Sequence, residues 1–179
     1  AVLPAGRGAS GCGRAGVGRQ RRSARGGARP GGLHGVAQEL PQDPPGAVVI
    51  WGGGRSFAAG AEISEFGGPD EARTIGGKFR AALDAVAAIP RATIAAVNGV
   101  TTGAGCNLAL GCDLIVAADT ARFSQIFASR GLSLAGGGSW VLPRPLGLHR
   151  AKELASLADI TPAPEADRIR LGTHDRPAA

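Results

Sequence analysis

The chain has 179 residues, 44% of them hydrophobic, with 20 basic and 14 acidic side chains and a formal net charge of +6. That length and apolar content suffice for one domain with its own core, and no run of eighteen apolar residues is present, so no membrane-spanning helix is expected. The charge is uneven: residues 1–38 hold seven arginines, eleven glycines and no acidic residue, whereas the remainder holds thirteen basic and fourteen acidic residues. The basicity therefore belongs to one segment and says nothing about the rest of the chain.

In chain order, residues 1–46 come first. Rich in Gly and Arg and nearly free of large apolar side chains, they cannot bury a core and are expected to be disordered. Three readings stay open for them. One is polyanion binding, although no aromatic residue is interleaved for base stacking, so a nucleic acid is not the expected partner. A second is an organelle transit peptide, against which the glycines and prolines argue. The third is out-of-frame translation of GC-rich coding sequence.

The next elements are regular. AVVIW at residues 47–51 reads as a strand, followed by the turn GGGRS and then FAAGAEI. Residues 69–89 predict a helix, with Phe79, Leu83, Val86 and Ile89 at spacings of three and four and a stop at Pro90. A second strand is expected at 94–97, ended by Asn98-Gly99, and a helix at 104–111 after the small residues Gly103, Ala104 and Gly105. A strand at 114–117 and helices at 148–157 and 164–170 complete the pattern, with a short tail at 173–179.

The run from 94 to 113 carries the chemistry. A strand empties into a turn of minimal side chains that opens an apolar helix, and the first N–H groups of that helix lack intrahelical partners. Such a turn can hold a phosphate or stabilise an oxyanion that forms during a reaction. A dinucleotide site is not indicated, because no G-x-G-x-x-G follows the strand in register and no βαβ alternation surrounds it. Cys106 and Cys112 stand six apart on one buried helix and its end, too far and too differently directed to bridge, and no metal pattern is present. A reducing, cytoplasmic setting fits. Ser133 and Ser139 have no histidine nearby in sequence, and His149 reads as a solvated helix residue, so nucleophilic chemistry is not expected.

GGGRSFAAGAE, IPRATIAAVNG, GAGCNLALGCDLIVAADTARF, the glycine run with Trp140 and LPRPLG, and RAKELASLADITPAPEADRIRLG agree in order and spacing with one family. Over residues 47–172 the chain resembles the crotonase superfamily, the enoyl-CoA hydratases and isomerases. The resemblance implies an α/β fold of stacked ββα units and an acyl-CoA thioester as substrate. It implies no permanently bound cofactor, coenzyme A entering only as part of that substrate, in fatty-acid or related acyl-CoA metabolism. It further implies an oxyanion hole built from the backbone N–H groups of Ala61 and Ala104, with Gly60 and Gly105 as the small neighbours such donors need. Backbone near Ala59 is expected to meet the adenine of the coenzyme, and Gly60, Gly105, Asn107, Phe127 and Trp140 to border the substrate, the last two as pocket wall. A homotrimer or hexamer is the family's assembly, built by C-terminal helices into which relatives continue after the position of Leu171-Gly172; against that pattern the fold is expected to be incomplete, truncated at both ends.

The departures from the family are equally specific. Hydratases carry glutamates at the positions of Asn107 and Phe127, and an isomerase-like branch carries a single aspartate at the position of Ala135. None of these three side chains transfers a proton. Two functions therefore follow from the resemblance: an enoyl-CoA hydratase or isomerase that stabilises an enolate, or a non-catalytic acyl-CoA-binding relative whose base is gone. Glu62, at the acidic position of the first turn, is expected to be structural, Glu65 to face solvent, and Asp113 to be a helix-end group.

Overall fold

The computed structural model describes residues 2–5, 18–19, 22–23, 46–52, 56–60, 68–172 and 174–176. A strand β1 (Val2–Ala5) and the short antiparallel pair β2 (Gly18–Arg19) and β3 (Arg22–Ser23) precede the repeating part. Three strand pairs then follow one another. β4 (Ala47–Gly52) and β5 (Ser56–Ala58) lead to helix α1 (Pro69–Ala87). β6 (Ala92–Val97) and β7 (Val100–Thr102) lead to α2 (Ala104–Leu110). β8 (Leu114–Ala118) and β9 (Arg122–Ser124) lead through a 3₁₀ turn (Ala128–Arg130) to α3 (Gly138–Val141), α4 (Pro143–Leu146) and α5 (Leu148–Leu157). β10 (Thr161–Pro162), α6 (Ala163–Arg168) and β11 (His174–Arg176) close the described chain.

The first strand of each pair enters one sheet and the second enters another. The larger sheet runs β1-β4-β6-β8-β11, all parallel; the smaller runs β10-β9-β7-β5, parallel except between β9 and β10. This is the stacked ββα architecture that the resemblance implied.

Alternation explains the large sheet. Val48 and Ile50, Thr93, Ala95 and Val97, and Ile115 and Ala117 all point to one buried face. In register, Ile50, Ala95 and Ile115 lie side by side across β4, β6 and β8, so a small residue separates two large ones and the row packs level. Onto this face pack Val86 and Ile89 from α1 and its end, Cys106, Leu108 and Ala109 from α2, and Leu142 and Ala151 beyond. Asp113 joins α2's exit to β6: its Oδ2 accepts from the Thr93 N–H (2.7 Å) and from Thr93 Oγ1 (2.8 Å). Those bonds hold its carboxyl below the usual aspartate range. The helix-end reading of Asp113 is thus refined to a link between α2 and the neighbouring strand.

Several expectations shift. The helix expected over 69–89 ends at Ala87 and that over 164–170 runs from Ala163 to Arg168. The strands β5, β7 and β9 were not expected, because three residues are too few to display a period of two. Of the segment 1–46 expected to be disordered, Val2–Ala5 instead pairs with β4; most of the rest lies outside the described residues, as do Cys12, Glu62 and Glu65. The edge of β4 offers backbone groups with which such a segment can pair. Among the described residues no helix is long and apolar enough to cross a membrane.

Candidate functional site

The small sheet delivers α2 to its place. Thr102, the last residue of β7, donates from Oγ1 to the Ala59 carbonyl at 2.8 Å, and the Gly103 N–H donates to the Ser124 carbonyl of β9 at 2.9 Å. The turn is therefore bound on both sides, to the end of β5 and to β9. Gly105 then lies so near β5 that a Cβ there would stand 2.2 Å from the Ala58 carbonyl oxygen and 2.6 Å from the Ala58 Cβ. Only glycine permits that approach. Gly60 has φ +86°, and a Cβ placed on it would lie 3.6 Å from the Ala104 nitrogen. The two glycine turns, 43 residues apart between Gly60 and Gly103, thus meet in space.

Ala104 opens α2, and its N–H finds no acceptor among the described residues; the first bond to the turn is Asn107 N–H to Gly103 carbonyl, at 3.1 Å. Ala61, named from the sequence as the other donor, lies outside the described residues.

A cavity of about 440 Å³ opens over this meeting point. Of the residues named from the sequence, Ala59, Gly60, Ala104, Phe127 and Ala135 line it. Phe79, Ile75, Ile126 and Leu132 supply apolar wall that sequence reasoning did not assign to the site. The Phe127 ring is buried against the turn, with Cζ 3.6 Å from where a Cβ of Gly103 would stand. Among the described lining residues the ionisable side chains are Arg73 and Arg130, and Arg73 is paired with Asp70 at 2.7 Å. The remaining polar groups of the lining are the hydroxyls of Thr102 and Ser133 and the backbone.

Gly105, Asn107 and Trp140 are not brought to the cavity. Gly105 serves the close approach just described. Asn107 is fully buried, donates from Nδ2 to the Ala135 carbonyl at 2.7 Å and accepts at Oδ1 from Gln125 Nε2 at 2.9 Å. Trp140 is 67% exposed, with the Arg144 guanidinium stacked 3.3 Å from its ring centroid. It was expected as pocket wall, but α3 turns its ring outward. Gln125 was not singled out from the sequence. Its signal was present, a long polar side chain in FSQIF between two buried phenylalanines. Cys106 and Cys112 are buried and unbridged, and burial pushes both thiols up to about 12.

A family model described as enoyl-CoA hydratase/isomerase matches residues 33–173. The chain is similar to the probable enoyl-CoA hydratase echA8 of Mycobacterium bovis, with 40% identity over 144 residues, 80% of this chain and 56% of the relative. It therefore spans little more than half of that relative's length. Among solved structures it is similar to an enoyl-CoA hydratase from Bacillus anthracis, with a TM-score of 0.77, 30% identity and coverage of 81% of this chain and 58% of the other. It is also similar to a putative enoyl-CoA hydratase from Thermobifida fusca in complex with acetoacetyl-CoA, with a TM-score of 0.74, 28% identity and coverage of 83% and 63%.

Proposed function

The chain belongs to the enoyl-CoA hydratase/isomerase family, and from that premise we propose that it binds an acyl-CoA thioester, with the apolar acyl group in the 440 Å³ cavity and the thioester oxygen against the Ala104 N–H. The observation that carries this reading is the meeting of Gly60 and Ala104 at the base of an apolar cavity, leaving an unclaimed N–H directed at nothing else in the described protein. The N–H of Ala61, next along the chain from Gly60, completes the pair of donors in this reading. When an α-proton leaves a thioester, negative charge gathers on the carbonyl oxygen. Fixed donors aimed there stabilise that charge by roughly 3–4 kcal/mol each. The neighbour that holds acetoacetyl-CoA supports the ligand class.

One observation favours a second reading, binding without turnover. The described lining offers no carboxylate or imidazole, since the positions expected to carry them hold Phe127 and Ala135, while Asn107 faces away from the cavity. A positioned base contributes about 10²–10⁴-fold, so a chain with donors and no base binds its thioester and turns it over slowly. Calorimetric titration with a non-hydrolysable acyl-CoA thioether, beside a turnover assay on a short enoyl-CoA, separates the two. Binding with turnover abolished by Ala104→Trp supports the enzyme; binding alone supports the pseudoenzyme; no binding defeats both.

A further inference from the structure

Asn107 stands where the family's hydratases keep a glutamate, yet its amide is spent inside the protein. Nδ2 donates 2.7 Å to the carbonyl of Ala135, a cavity-lining residue, and that same carbonyl accepts the Gly138 N–H at 3.2 Å. Oδ1 accepts from Gln125 Nε2 at 2.9 Å, and Gln125 Nε2 also lies 3.5 Å from the Cys106 sulfur. Both amides are buried, Asn107 at 0% and Gln125 at 2% exposure. The start of α3 is fitted around the first of them: a Cβ at Gly138 would stand 2.5 Å from Asn107 Nδ2. Gly136, between these contacts, has φ +58°, and a Cβ there would stand 3.7 Å from the Ala104 Cβ. Ala135 itself is exposed toward the cavity, so only its backbone is tied down.

We infer that Asn107 and Gln125 form a buried relay of positioning residues that fixes the backbone of residues 133–138 over the acyl cavity, and thereby sets how the wall at position 135 meets the acyl group. The inference rests on the acyl-CoA reading above for its ligand, while the relay itself is a property of the unliganded protein. The chain leaving β9 supplies Gln125, whose side chain orients the Asn107 amide; α2 supplies Asn107, whose donor end selects one height for the Ala135 carbonyl. With Asn107 shortened to alanine, the carbonyl keeps only the longer Gly138 bond and the loop is free to shift. The first carboxylate position of the family thus holds a group, Asn107, that acts through the backbone and does not touch the acyl group.

The test uses the full chain and three variants, Asn107→Ala, Gln125→Met and the double change. The double variant guards against misfolding, because removing both partners of a buried hydrogen bond leaves no orphaned group. Amide hydrogen exchange is read for residues 133–138 against β6 and β8, and calorimetry gives the preference for an acyl-CoA thioether over coenzyme A. The relay predicts faster exchange confined to 133–138 and a roughly tenfold loss of acyl preference in Asn107→Ala. Gln125→Met loses a similar amount alone and nothing further when combined with it. A merely structural pair would lower the unfolding midpoint and leave both the exchange pattern and the acyl preference unchanged, and that result overturns the inference. Additive losses overturn it as well. Faster loop exchange in a protein whose parent binds no acyl-CoA upholds the relay as a loop-positioning device and removes the proposed function instead.

Discussion

Gly105→Ala adds one methyl group at the point where α2 touches β5, and the structure fixes its consequence. The new Cβ meets the Ala58 carbonyl oxygen at 2.2 Å, against a floor of 3.0 Å for real contacts, so the backbones must part by about 0.8 Å. Both sides are main chain, which cannot swing away as a flexible side chain would. Overpacking of this kind costs about 1–3 kcal/mol, and alanine's better helix propensity returns at most about 1 kcal/mol. After that offset the net loss reaches about 2 kcal/mol, a fall of as much as roughly 8 °C in melting temperature for a chain of this size. The displacement also moves the Ala104 N–H by a sizeable fraction of an ångström, and a shift near 1 Å costs about 100-fold in a site that depends on geometry. Urea unfolding and acyl-CoA calorimetry on the same preparation measure the two effects. A Gly105→Ala protein that unfolds at the parent's urea midpoint and binds acyl-CoA equally well would refute the packing argument and, with it, the claim that α2 is pinned to β5 for the sake of its first N–H.

Gly77→Ala is the opposite case: Gly77 sits in exposed α1 with nothing within 4 Å of a new Cβ, so thermal unfolding should show a gain of about 0.5–1 kcal/mol. Ala135→Asp places a carboxylate on the cavity wall, at the position where the family resemblance leads one to expect it, and in the proposed reading enoyl-CoA turnover should rise about 10²–10⁴-fold over the parent. Asp113 is held below its ordinary pKa by Thr93, so its contribution is present above that ordinary value and fades as pH falls through the lowered one; Asp113→Asn should be less stable than the parent at pH 7, with the gap closing in acid denaturation. Cys106 and Cys112, buried and pushed up to about 12, should resist iodoacetamide at pH 8 in the folded protein and react once urea unfolds it, as peptide mass mapping would record.

Much of the fold was legible because its long strands are unbroken apolar runs bounded by turns. AVVIW and IAAV read as strands on that ground, though only the folded chain shows which of their residues share a face, and Pro69 and Pro90 bracket α1 to within a few residues. The small sheet was not legible, because strands of three residues such as Arg122–Ser124 have no period to read and owe their pairing to neighbours distant in sequence. At the site, the small residues around Gly103 marked the turn correctly, yet only the folded chain shows why Gly105 must be glycine, since Ala58 lies 47 residues earlier. Asn107 looked like a lost catalytic group when read by position alone. Its partners Ala135 and Gln125 are supplied by other elements, and no local pattern announces them. Trp140 failed for a related reason: in a four-residue helix the outward face is decided by packing, not periodicity.

In the proposed reading the Ala104 N–H grips a thioester oxygen, a contact that infrared difference spectroscopy of a bound ¹³C-carbonyl acyl-CoA reads at the bond concerned. Ala104 is the first residue of α2, a position where proline is tolerated and merely removes the N–H. Binding to the parent should move the carbonyl stretch to lower wavenumber, and Ala104→Pro should reverse most of that shift while the protein stays folded. A carbonyl band that lies at its free-solution position in the parent, or a shift that survives in folded Ala104→Pro, would contradict the account.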